Sequence, residues 1–346
     1  MQAVKFTEHG GRDVIDYGEF PDPEIGPEEV LVDVKAGALN YLDVWTREGL
    51  PGVDLEMPHI PGCDAAGVVE DVGDRVSRFE PGDHVAVTAG VSCGECEFCR
   101  HGEESMCVSY HLLGEHVRGL HSELAAVPED NLVAVPDHVE WEVAAAAPLV
   151  FQTAWRMLIT RGDVQPGESV LVLGASGGVG HAAVQIADYA GAEVFATASS
   201  QEKLEHARDL GADHVIDYES ENFADRIREL TGKRGVDVVV DHVGKETWHD
   251  SLKSLAKGGR ILTCGATTGG RPETDINRIF WNQLKVIGST MATPGEVDDV
   301  LSLVWDGTFE PQIRETLPMS QTPRAHELLE DREGFGKVVV IPDSEL

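Results

Sequence analysis

The chain has 346 residues, with 61 Asp and Glu against 27 Lys and Arg, for a formal net charge of −34. At roughly 100–200 residues per domain the length implies two or three domains, and a 42% hydrophobic share excludes a disordered acidic chain. A field this negative repels phosphate backbones and anionic lipid, so neither nucleic acid nor a membrane is an expected partner.

The few basic residues are 18 Arg and 9 Lys. An acid-rich, Lys-poor surface suits concentrated salt, where the Debye length falls to ~3 Å at 1 M. It predicts a halophilic, salt-adapted protein. Met1–Phe6 enters a strand pattern with no basic and apolar leader. No apolar run approaches the ~18–20 residues of a membrane span. The longest, Val143–Phe151, contains Pro148. The expected location is the cytoplasm.

Residues 1–130 read as short strands between Gly, Asp and Pro turns. Examples are Glu29–Val34, Ala66–Glu70 and Asp83–Val87. Within this stretch Cys93, Cys96, Cys99 and Cys107 have the spacing C-x2-C-x2-C-x7-C. Four thiolates in one loop suit a closed tetrahedral zinc site, which clamps a loop and leaves no open position for chemistry. An iron–sulfur cluster is the alternative, although the usual continuation after C-x2-C-x2-C is x3 and Cys-Pro.

From about residue 151 strands alternate with helices. The spacing predicts strands at Ser169–Leu173, Glu193–Ala198, Ala212–Ile216, Val236–Asp241, Gly259–Cys264 and Lys285–Gly288, with a helix at Gly178–Ala190. A later helix is expected at Glu296–Trp305 and a closing strand at Lys337–Ile341. Repeated β-then-α units imply an α/β fold with a doubly wound parallel sheet.

Gly174-Ala175-Ser176-Gly177-Gly178-Val179-Gly180 follows a predicted strand and opens a helix, the context of a dinucleotide-binding turn. The candidate contacts are Gly174, Ser176, Gly177, Gly178, Val179 and Gly180. The second strand ends in Ser199 and Ser200, with Lys203 beyond, and no acid stands where an NAD-type site places one. Hydroxyls and a cation suit a 2′-phosphate, so NADP(H) is favoured over NAD(H).

Four features together resemble the medium-chain dehydrogenase/reductase superfamily along essentially the whole chain. They are Pro21–Glu24 leading into Glu29–Val32, the Gly73–Val76 and Phe79–Val85 segments, the four-Cys lobe, and the placing of the glycine-rich turn. The resemblance implies a GroES-like β-rich catalytic domain at 1–150 and 291–346, with its zinc lobe at about 90–110. It implies a Rossmann NADP-binding domain at 151–290.

The departures resemble the quinone-oxidoreductase-like branch. Asn40-Tyr41-Leu42-Asp43, Lys203, Tyr218 and Arg332 match it, and the last three would surround the adenosine 2′-phosphate. The resemblance also places Val243, Gly265 and Ser289 beside the nicotinamide. In zinc alcohol dehydrogenases a second, catalytic zinc takes ligands at positions that fall here on Asn40, Cys63-Asp64 and Leu149. Cys63 and Asp64 alone could bind it, short of a three-ligand site.

The leading reading is an NADP(H)-dependent quinone, enone or alkene reductase without catalytic zinc, holding one structural Zn²⁺. Its catalytic candidates are the Asn40 amide and the Tyr41 hydroxyl as oxyanion donors, Asp43 as support, and Thr153 near the nicotinamide. The alternative is a zinc-dependent alcohol dehydrogenase with an atypical catalytic site. A non-catalytic, nucleic-acid-binding relative is disfavoured by the charge. The family implies a homodimer or homotetramer. His111, His116 and His121 are expected at the surface or lining the cleft.

Overall fold

The computed structural model describes residues 1–332 and 334–345. They form two compact units. The first holds Met1–Leu149 and the described residues from Thr293 onward, except Gly334–Gly336. The second holds Val150–Ala292 and Gly334–Gly336.

The first unit is built on the strand Glu29–Ala38, whose residues alternate between buried and half-buried. That period of two turns Val30, Val32, Val34 and Ala36 inward. One edge pairs antiparallel with Asp64–Val72, which pairs with His84–Val87 and then Leu132–Ala134. The other edge takes Leu124–Pro128 and the closing strand Lys337–Ile341, whose parallel neighbour is Ile313–Pro318. Ala36, Ala38, Ala66 and Ala86 meet Ala144–Ala146 of the helix Trp141–Ala146 in one core cluster. Side chains this small let a helix lie close on a sheet. Pro148 then begins a new helix, Pro148–Trp155, as its missing N–H allows only at a first turn.

Several elements of this unit, among them the helix Trp141–Ala146, are absent from the sequence reading. Tyr41–Glu48 is a helix inside the expected β-rich stretch, and Ile313–Pro318 and Thr322–Glu330 add a strand and a helix near the end. The helix Tyr41–Glu48 is only eight residues long, too short for its periodicity to stand out.

The second unit is a six-stranded, wholly parallel sheet. Its order in space is His214–Asp217, Glu193–Ala198, Ser169–Val172, Val236–Val240, Leu255–Thr263, Lys285–Gly288. In chain order that is third, second, first, fourth, fifth, sixth, the Rossmann pattern. Ser169–Val172 is buried throughout, as expected when helices cover both faces. Leu171, Phe195, Val239 and Ile261 lie in its core. The chain reverses direction across the sheet between the first and fourth strands, where such folds bind ligands beyond the carboxyl ends. No helix among the described residues is long and apolar enough to cross a membrane.

Candidate active and cofactor sites

The glycine-rich turn leaves the strand Ser169–Val172 and enters the helix Gly178–Tyr189. Gly174 has φ of 60°, the left-handed region, and bends the chain. A Cβ on Gly180 would lie 2.1 Å from the Gly174 carbonyl oxygen, so only glycine permits this approach of helix to loop. Gly177 caps the helix with no side-chain hydrogen bond. First-turn amides have no acceptor within a helix. Those of Gly178, Val179 and Gly180, with the positive end of the helix dipole, therefore suit a pyrophosphate.

At the end of the second strand Lys203 Nζ donates to Ser199 Oγ at 3.1 Å. Ser200 Oγ accepts from the Lys203 backbone N–H and caps the next helix. The Tyr218 N–H donates to Ala198 O at 3.2 Å, which brings Tyr218 beside the same strand end. Ser199, Lys203 and Tyr218 thus stand together. Arg332 belongs to the first unit, in a left-handed turn with φ of 51° after the helix Thr322–Glu330.

Loops at the other carboxyl ends are also fixed. Asp241, fully buried, accepts the N–H groups of Val243 at 3.0 Å and Gly244 at 2.9 Å, and the Ser251 hydroxyl at 2.7 Å. Thr263 Oγ1 donates to Gly265 O at 3.1 Å. The Ser289 N–H donates to Thr263 O at 2.9 Å, yet its buried hydroxyl has no partner among the described residues. The buried Thr153 hydroxyl donates to Met291 Sδ at 3.9 Å, a weak acceptor. An orphaned hydroxyl at the sixth strand fits a polar ligand such as a nicotinamide amide.

The four cysteines of the lobe place their Sγ atoms within 4.8 Å of one another. Zn–S bonds of about 2.3 Å put tetrahedral sulfurs about 3.8 Å apart, and Cys96 and Cys99 are already at 3.5 Å. The N–H groups of Cys93 and Ser109 each donate to Cys107 Sγ at 3.3 Å. Backbone N–H groups of Cys99 and Val108 draw the Cys96 thiol down to about 6. Burial pushes Cys99 up to about 11. A divalent cation would deprotonate all four, so the donor set fits a structural zinc.

The other polar cluster is at the head of the helix Tyr41–Glu48. The Asn40 N–H donates to Asp43 Oδ2 at 2.7 Å, and the Gly62 N–H to Asp43 Oδ1 at 3.0 Å. Burial raises the Asp43 carboxyl to about 7, against those two N–H groups and the nearby Lys337 charge. Asn40 Nδ2 donates to Asp64 Oδ2 at 2.8 Å. Lys337 Nζ donates to Asn40 Oδ1 at 2.5 Å and to Asp64 Oδ2 at 3.1 Å. The Leu149 N–H donates to Asp64 Oδ1 at 2.9 Å.

Asn40, Asp64 and Leu149, three positions where the family resemblance seeks zinc ligands, therefore do converge. They converge on a carboxylate that accepts three hydrogen bonds, two of them at Oδ2 and one of those from an ammonium. Burial, and then the neighbouring Asp43, Asp64 and Glu115, push the Cys63 thiol well above its ordinary value. Among the described residues the four-Cys lobe is the one group of three or more His, Cys, Asp or Glu poised for a metal. The donors around Asp64 do not fit a second zinc.

Two expectations change. The Asn40 amide is spent inside the unit, since Nδ2 also reaches Ala38 O at 3.5 Å. The half-buried Tyr41 ring stands edge-on to Trp45 at 5.4 Å. His121 does not line the surface. It is fully buried, and burial lowers it to about 4. A Cβ on Gly62, at φ of 105°, would lie 2.4 Å from its ring. Lys337 escaped the sequence reading. Its signal was a lone cation opening the apolar strand Val338–Ile341 in a chain with few lysines.

Residues 26–137 match the family model of the alcohol dehydrogenase GroES-like domain, and residues 178–306 that of zinc-binding dehydrogenase. The acryloyl-coenzyme A reductase of Sulfurisphaera tokodaii is 34% identical over 94% of this chain and 95% of that protein. A quinone oxidoreductase of Pseudomonas aeruginosa is 33% identical over 99% of each. A solved structure described as an NAD-dependent alcohol dehydrogenase shares 43% identity at a TM-score of 0.95, covering 99% of each chain. A crotonyl-CoA carboxylase/reductase, AntE V350A, in complex with NADP shares 27% at 0.92, covering 99% of this chain and 95% of that one. With the two-unit architecture, the Rossmann strand order and the four-Cys lobe, these matches identify the chain as a member of the medium-chain dehydrogenase/reductase family of oxidoreductases.

Proposed function

We propose that the protein is an NADP(H)-dependent reductase of quinones, enones or enoyl thioesters that works without a catalytic zinc. The observation that carries this reading is the pairing of Asp64 with the Lys337 ammonium and the Asn40 amide. With its oxygens bonded to Asn40, Lys337 and the Leu149 N–H, the site lacks the open three-ligand arrangement that zinc catalysis needs. Acceptors conjugated to a carbonyl need less electrophilic help than simple ketones. The reductase relatives support the substrate class.

When bound, NADPH supplies the hydride. Gly174, Ser176, Gly177, Gly178, Val179 and Gly180 would hold the pyrophosphate. Ser199, Lys203 and Tyr218 would hold the 2′-phosphate. Val243, Gly265, Ser289 and Thr153 would orient the nicotinamide. The Tyr41 hydroxyl would donate to the carbonyl oxygen as negative charge builds on it. Asp43 pins Asn40 and Gly62 and so fixes the start of the Tyr41 helix. Cys93, Cys96, Cys99 and Cys107 would hold one structural zinc.

The same reading expects a cytoplasmic homodimer or homotetramer. Lys285–Gly288 is an edge strand of its sheet. Around it Ile276, Phe280, Trp281 and Val286 are 70%, 61%, 75% and 48% exposed. Such an apolar edge on an acidic chain fits a second copy.

A panel of acceptors with NADPH and NADH tests the function. The expected result is NADPH oxidation with an α,β-unsaturated ketone, thioester or quinone that persists after chelation. Turnover confined to saturated alcohols and lost with removal of a second zinc would overturn it.

A further inference from the structure

We propose that Lys337 is a positioning residue whose ammonium stands in for a catalytic metal, locking Asn40 and Asp64 into one arrangement that fixes the start of the Tyr41 helix. This rests on the zinc-free reading and goes beyond it by naming the cation that takes the metal's structural place.

The sheet register dictates the placement. Val339 pairs with Ala38 and Val340 with Gly37 in antiparallel order. Continuing that register sets Lys337 opposite Asn40, just past the last paired residue. The Leu39 N–H donates to Val338 O at 2.9 Å and holds the two segments together there. The ammonium is then committed, with side-chain exposures of 3% for Lys337 and 0% for Asp64.

Three consequences follow from this geometry. The Lys337 bond to Asn40 Oδ1 fixes which face of the amide is the acceptor, so Nδ2 must point at Asp64. The Asn40 backbone, through Asp43 Oδ2, sets the first residue of the helix, and Tyr41 follows directly. The ammonium also neutralises a carboxylate that would otherwise be a buried charge without a cation. A divalent ion does the same for a carboxylate, but here it would sit against the ammonium already bonded to Oδ2. Lys337 touches neither substrate nor cofactor in this scheme and acts through Asn40.

The test uses the full chain with its zinc lobe intact, and the variants Lys337→Met, Lys337→Arg, Asp64→Asn and the double Asp64→Asn/Lys337→Met. Zinc per chain, melting temperature, and kcat and KM with NADPH and an α,β-unsaturated ketone are measured. The expected wild-type zinc content is one per chain. Lys337→Met should lower kcat by about tenfold or more with a much smaller change in KM for NADPH, and Lys337→Arg should recover part of it. The double variant should melt above Lys337→Met and lose no more kcat than it, because the two residues act as a unit. Two zincs in the wild type, unchanged kcat in Lys337→Met, or additive losses in the double variant would overturn the proposal. Zinc content and the melting order need no substrate, so they judge the placement even if the reductase reading itself fails.

Discussion

Lys203 reaches back four residues to donate its ammonium to the Ser199 hydroxyl at 3.1 Å. Both groups sit at the carboxyl end of the second Rossmann strand, where an NAD-type site would carry an acid. A cation beside hydroxyls prefers the phosphorylated cofactor. Lys203→Ala is expected to raise KM for NADPH about tenfold, the size of one lost charge-assisted hydrogen bond. KM for NADH should stay nearly constant. Equal losses for both cofactors would remove the 2′-phosphate assignment.

Removing a lobe thiol should cost stability and zinc together. Cys99→Ser is expected to lose the metal, because four ligands within 4.8 Å define the site. The melting temperature should fall by several degrees, at about 2–4 °C per kcal/mol for domains of this size. Specific activity of the molecules still folded should be largely kept. Metal analysis and calorimetry check this, and a lobe that keeps its zinc after the change would refute it.

Acid should weaken the fold through two histidines. Burial lowers His121 to about 4; burial, and then the Arg47 charge, lower His326 to about 3. In the unfolded chain each takes a proton near 6.5. Between those values the unfolded state binds more protons, so stability rises with pH and is lost on acidification. The slope is up to about 1.4 kcal/mol per pH unit for each. Asp43 acts the other way. Its native pKa of about 7 lies above the ordinary 3.8 of an aspartate, so its contribution falls as pH rises through that window. His121→Asn should flatten the acid limb of a melting-versus-pH curve, and Asp43→Asn should steepen its rise toward neutrality.

Salt is the next lever. A net charge of −34 repels itself most at low ionic strength, and screening relieves it. Melting temperature is expected to climb steadily from dilute buffer into molar KCl. A flat profile would show that the acidic surface is not an adaptation to salt.

The exposed edge makes a further prediction. Trp281→Asp places a charge among Ile276, Phe280 and Val286 beside the edge strand. Sedimentation should report smaller particles than the wild type, with little change in far-ultraviolet circular dichroism. An unchanged sedimentation coefficient would move the interface elsewhere.

The parallel sheet was legible because each strand is an apolar run between glycine and polar turns, and Glu193–Ala198 and Lys285–Gly288 emerged with the expected ends. The four cysteines and the glycine-rich turn carry spacings that few other structures need. The Asn40 cluster was harder. Its parts lie at 40, 64, 149 and 337, and only pairing of the first unit's strands brings them together. No local pattern reveals that an amide is already bonded on both sides, so Asn40 read as a free donor. For His121, expected at the surface or lining the cleft, burial excludes the surface, and the glycines that make room for its ring, Gly37 and Gly62, are far away in sequence.

The pairing of Val339 and Val340 with Ala38 and Gly37 also sets an order of assembly. The second unit takes nearly all its residues from one continuous stretch, and all six of its strands are complete before residue 290. The first unit is begun earlier, yet at Gly37 and Ala38 its central strand has a neighbour on one side only until Lys337–Ile341 is made. During synthesis the unit translated second has its whole sheet in hand first. The unit begun first must wait with Gly37 and Ala38 uncovered, and a chain stopped before Lys337 would keep that edge open for good.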